Sequence, residues 1–66
     1  MIVMVHISWN ASSYAYIAHV ADSNGDWTAV QVDGAWFFET GGDVTNPRDV
    51  DALDEAVADF CARGAN

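Results

Sequence analysis

The run DSNGD sets Asp22, Asn24 and Asp26 at alternate positions with Asp33 at the twelfth, which is the spacing of oxygen donors in a calcium-binding loop. Such a loop needs glycine at its sixth position for a sharp turn; Trp27 stands there, followed by residues of strand character. The run therefore reads as a hairpin turn. His6 and His19 would be diagonal neighbours on adjacent strands, roughly 7 Å apart, and Glu39 would join them in a ligand set, but no sequential ligand spacing supports a metal. They read as ordinary half-buried histidines. Ser12 and Ser13 lack the G-x-S-x-G setting of a nucleophile elbow, and Cys61 falls on the apolar face of a helix. With no nucleophile–base pair, the chain is expected to be no enzyme and to use no metal or cofactor.

The chemistry on offer is electrostatic. DVDALDEAVAD, from Asp49 to Asp59, holds five carboxylates in eleven residues without a Lys or Arg among them. The whole chain sets ten acids against two Arg, a formal net charge of −8 on 66 residues. Nucleic acid and anionic membrane are disfavoured as direct partners, since both are polyanions, and a basic protein surface is favoured. Codon bias in a GC-rich genome enriches Ala, Val, Asp and Gly, but it also enriches Arg, which is scarce here. A halophilic source would give an Asp-rich, Lys-free surface of the same kind.

Length and composition bound the architecture. Chains of 66 residues bury roughly 60% of their unfolded surface and form one core, so residues 1–66 read as a single domain. A hydrophobic content of 52%, with three Trp, three Phe and two Tyr, is that of a folding chain. The apolar runs fall far short of the ~20 residues that cross a bilayer, and MIVMVHISW lacks the basic start and cleavage site of a signal peptide. Cys61, the single cysteine, excludes an internal disulfide. These features point to the cytoplasm.

Turn signals divide the chain into four extended segments and a helix. Ile2–Trp9 alternates as a strand and ends at the polar NASS turn; Tyr14–Ala21, Trp27–Val32 and Ala35–Thr40 follow, separated by Asn24-Gly25 and Asp33-Gly34, pairs suited to type I′ hairpins. Asn46 is a natural N-cap, Pro47 suits the first helical position, Asp49 stands where a capping-box acid would, and Gly64 ends the helix. The expected fold is α+β, an antiparallel meander of four to five strands with one C-terminal helix on one face. Two-residue turns put Val3, Val5, Ile7, Trp9, Tyr14, Tyr16, Val20, Trp27, Ala29, Trp36 and Phe38 on the covered face. On the helix, Val50, Leu53, Val57, Phe60 and Cys61 share one side, and truncating Phe60 is expected to cost roughly 3–5 kcal/mol.

On the other side, Asp51, Glu55 and Asp59 form an i, i+4, i+8 ridge whose like-charge neighbours each cost about 0.2–0.5 kcal/mol. A meander also carries Asp22, Asp26, Asp43 and Asp49 to one end of the sheet, adding further repulsion. B-DNA bears one charge per ~1.7 Å, so a net charge of −8 equals that of about four base pairs, and carboxylates on the ridge, ~6 Å apart, match the spacing of neighbouring phosphates. The acids expected to meet a partner are Asp22, Asp26, Asp43, Asp49, Asp51, Asp54 and Glu55; Asp59 is set apart because Arg63 at i+4 would neutralise it.

With its strand-rich start VMVHISW, the turns DSNGD and VDGAW, and the closing helix NPRDVDALDEAVADF, the whole chain resembles the small acidic anti-CRISPR proteins of phages and mobile elements, most closely an inhibitor of type I-C systems. The resemblance implies inhibition of a CRISPR surveillance complex by a double-stranded-DNA mimic. It would occupy the basic subunit surface that reads the protospacer-adjacent motif, inside the host bacterial cell, as a monomer that touches neither nucleic acid nor membrane. The alternative is an acidic interaction module from a halophilic or GC-rich source with another basic partner.

Overall fold

A computed structural model describes residues 1–64. Strands β1 (Ile2–Asn10), β2 (Ala15–Asp22), β3 (Trp27–Val32) and β4 (Ala35–Phe38) pair antiparallel in the order β1-β2-β3-β4, and α1 (Pro47–Ala62) crosses one face of the sheet, nearest β1. The α+β meander is the expected one. Beyond β4 the chain turns back at Gly41 and Gly42 and runs along that strand, with Asp43 bridged to Phe37 and the Val44 N–H donating to the Trp36 carbonyl at 3.0 Å. The chain thus covers its own edge at β4, while among the described residues nothing pairs with the outer edge of β1.

The helix starts as its sequence requires. Asn46 accepts the Arg48 N–H on its side chain at 2.9 Å, and Pro47 opens the first turn where its missing N–H costs nothing. Gly64, at φ 63°, closes the other end by donating to the Cys61 carbonyl.

One of the two hairpin turns differs from expectation. Asp33 and Gly34, at φ 52° and 84°, form the expected type I′ turn and set Val32 opposite Ala35. Between β2 and β3, Gly25 has positive φ but Asn24 does not, and the turn instead runs from Asp22 to Gly25, closed by a 3.0 Å backbone bond. The Asp22 carboxylate takes the Asn24 N–H at 2.9 Å, which favours this turn over the type I′ alternative. Val20 therefore faces Trp27 rather than Ala29, a displacement of two residues. An even displacement leaves every side chain on its expected face.

At the start of β1 an irregularity between Ile2 and Met4 moves Ile2 onto the core and leaves Val3 73% exposed. Tyr14 also leaves the expected face: with φ 53° it belongs to the β1–β2 turn and is 81% exposed.

The covered face has three rows. Val5, Val20 and Trp27 form one, Ile7, Ala18, Ala29 and Phe38 the next, and Trp9, Tyr16, Gln31 and Trp36 the third. The two alanines at the centre make a trough between large neighbours, and in the same buried cluster lies Leu53, the largest fully buried side chain. Val44 closes the cluster beside β4, while Phe60 packs against it only partly covered. Core position therefore passes from Phe60 to Leu53. Leu53→Ala should cost about 2–5 kcal/mol in urea unfolding, more than Phe60→Ala, and Ala29→Leu should lose about 1–3 kcal/mol by overfilling the trough.

Candidate functional site: an acidic helix face

Because α1 turns Val50, Leu53, Ala56, Val57 and Phe60 toward the sheet, Asp51 and Glu55 face outward while Asp54, Asp59 and Cys61 sit on the flanks. Asp51, Glu55 and Asp59 are all exposed, one turn apart along the helix, at intervals of ~6 Å. Arg63 does not neutralise Asp59: its Nε donates to the Asp59 backbone carbonyl at 3.3 Å, and no ion pair joins the two side chains. Asp59 therefore belongs to the ridge, as its i+8 spacing already suggested.

The other expected acids are distributed rather than gathered. Asp22 and Asp49 line one hollow at the N-terminal end of α1, where Arg48 and the Met1 ammonium also sit. The Met1 ammonium pairs with Asp22 there at 3.1 Å and Arg48 lines the same hollow, so this end carries charges of both signs. Asp26 lies on the opposite face of the sheet, in a hollow lined by Met4, His6 and His19. Asp43 runs beside β4. The expected single cluster at one end fails because Asp43 bridges back along the strand and Asp26 turns to the far side.

Two aspartates serve the fold directly. Asp54 accepts the Trp36 indole N–H at 2.8 Å and so ties the outer flank of α1 to β4, while Trp36 itself is buried. Asp22, with a side chain 10% exposed, accepts the Asn24 N–H, the Trp27 indole N–H at 3.2 Å and the Met1 ammonium at 3.1 Å. The Asn24 bond, the Trp27 bond and the ammonium, in that order, hold its carboxyl below the usual aspartate range.

The DSNGD run, read from sequence as a hairpin, forms the turn between β2 and β3. Among the described residues, no group of three or more His, Cys, Asp or Glu converges on a common point. Glu39 is separated from the histidines, since its N–H bonds to Thr28, which lies between it and His19 in one row across the sheet. His6 and His19 are directly opposite each other, not diagonal. The Cys61 thiol is exposed and lies 3.2 Å from the Tyr16 hydroxyl, whose pKa is raised by that hydrogen bond first and by desolvation next.

Charge is segregated along the chain as well as across the fold. Residues 1–21, which form β1 and nearly all of β2, contain no charged side chain, and all ten acids follow them. No helix is long and apolar enough to cross a membrane among the described residues. Comparison with known proteins adds no relative: no family model, curated protein or solved structure matches the chain.

Asp54 and Asp22 give the test of this division. Asp54→Ala should destabilise by about 1–3 kcal/mol in thermal or urea unfolding, because it leaves a buried indole N–H unpaired. Asp22 has a lowered folded-state pKa, so its contribution is present above the unfolded value near 3.8 and disappears as pH falls through the folded value. Asp22→Asn should therefore lower the melting temperature at pH 7, and the gap from the parent protein should narrow as the pH is taken below about 4.

Proposed function

We propose that this protein is an inhibitor of a type I CRISPR surveillance complex, acting as a short double-stranded-DNA mimic that fills the basic surface used to read the protospacer-adjacent motif. The observation that carries the reading is the outer side of α1, where Asp51, Glu55 and Asp59 stand exposed and, among the described residues, form no ion pair, with Arg63 sharing a hollow with Asp59 alone. Asp43 and Asp33, on exposed turns, extend the negative field beyond the helix. Such a field raises the rate of encounter with a Lys/Arg-lined site, and carboxylates at ~6 Å intervals meet cations spaced to receive phosphates. The likeness to small anti-CRISPR proteins supplies the target, with a type I-C complex as the specific case. In this reading the protein works as a monomer in the cytoplasm of a bacterial host, by binding alone, and touches no nucleic acid itself.

The distribution of acids sharpens the contact. Asp22 and Asp54 are engaged within the fold, Asp49 is half-buried, and Asp26 faces away from α1. The ridge therefore outweighs the turns in the proposed interface.

A competition assay with a type I-C complex and its target duplex tests the proposal. Duplex and protein should exclude each other, and inhibition should weaken as ionic strength rises from about 0.05 to 0.2 M. Asp51→Lys and Glu55→Lys should each weaken inhibition about tenfold or more, because like charges then meet, while leaving the melt unchanged or improved. Asp26→Lys should have the smaller effect. Simultaneous binding of duplex and protein, or full inhibition by both helix reversals, would sink the reading. A protein that instead unfolds at low salt without its own variants losing inhibition would be the haloadapted module.

A further inference from the structure

We propose that His6 and His19 form a two-histidine site for a borderline divalent transition ion, Cu²⁺ above the others, on the sheet face that α1 leaves uncovered. The two residues are cross-strand partners on β1 and β2, with ring centroids 6.3 Å apart and planes inclined at 34°. Each is exposed, and each alternates with core residues, His6 between Val5 and Ile7 and His19 between Ala18 and Val20, so both point away from the helix. Among the described residues neither imidazole has a hydrogen-bond partner, which leaves nitrogen lone pairs free on both rings. They open onto a hollow of about 380 Å³ whose lining includes Met4, Asp26 and Thr28.

The ligand class follows from the donors. Zinc, copper and nickel all accept neutral imidazole, with metal–nitrogen bonds of about 2.0–2.1 Å, whereas calcium and magnesium take oxygen. Placing both rings cis on one tetragonal ion requires the centroids to close from 6.3 Å by roughly 2 Å, which side-chain rotation supplies at two exposed residues. The Irving–Williams order puts Cu²⁺ first for such donors, and its tetragonal geometry is satisfied by two nitrogens with water completing the plane. A closed structural zinc site wants four protein ligands, and among the described residues no third His, Cys, Asp or Glu converges with this pair. Asp26, the acid in the hollow, and the net charge of −8 both enrich cations nearby. The ladder already holds the pair opposite each other, so little order is lost on binding.

Copper titration followed by calorimetry and electron paramagnetic resonance tests this directly on the full chain. The parent protein should bind one Cu²⁺ with the hyperfine pattern of two imidazole nitrogens, and its melting temperature should rise as the ion joins β1 to β2. His6→Gln and His19→Gln should each weaken binding about tenfold or more and remove the two-nitrogen pattern, while Asp51→Asn with Glu55→Gln should leave both unchanged. Zn²⁺ and Ni²⁺ should compete and Ca²⁺ should not. Nuclear magnetic resonance of the imidazole protons reports the same ligands in the unsubstituted protein. A parent protein without the two-nitrogen pattern, or glutamine variants that bind copper as the parent does, would overturn the site. The readout uses no partner and leaves Asp51 and Glu55 untouched in the histidine variants, so this outcome is independent of the inhibitor proposal.

Discussion

Everything outside the sheet depends on how closely a helix can approach it, and that is set by Ala18 and Ala29. With large residues in the rows above and below, two methyl groups side by side leave a depression that a leucine can fill, and Leu53 lies in the same buried cluster. A domain of this size has no second core to fall back on. Once Leu53 is seated, the 100° step of the helix turns Val50, Val57 and Phe60 inward and Asp51, Glu55 and Asp59 outward. The acidic ridge is thus oriented by the same contact that holds the fold together, and its direction cannot be altered without losing the core.

The acids themselves divide into two groups. Asp54 and Asp22 receive the indole N–H of Trp36 and Trp27, so two of the three tryptophans are each anchored through a carboxylate. Those bonds work in favour of the folded state. The ridge works against it, since like charges one turn apart repel, and nothing within the described chain compensates Asp51 or Glu55. The same repulsion has a protective side. The free edge of β1 exposes Val3 and Met4 without a charge of its own, and neighbouring molecules that would pair there must first bring two strongly negative bodies together.

Much of this was legible from residue type and spacing. Asn46-Pro47, Asp33-Gly34 and the apolar period of the helix gave its start, one hairpin and its buried side, because each is decided by interactions within a few residues. What escaped was decided at longer range. Asp22 captures Asn24 and Trp27 together and so selects a different turn from the one Asn24-Gly25 favours locally. The return of Asp43 along β4 separates it from the other turn acids. Arg63 prefers a backbone carbonyl to the Asp59 carboxylate, a choice that spacing alone does not reveal. The acidic ridge was visible in full, whereas its separation from Asp22, Asp26 and Asp54 required the packed structure.

The two-residue displacement between β2 and β3 also limits how this chain can change length over generations. Insertion or deletion of a single residue in that turn would invert β3 and β4, sending Trp27, Ala29, Trp36 and Phe38 into water, whereas a change of two preserves their side. Odd changes are tolerable only where a strand can absorb them, as β1 does near Val3 at the unpaired edge of the sheet. Lineages of this small protein should therefore drift in loop length by even steps at its centre and by single steps at its rim.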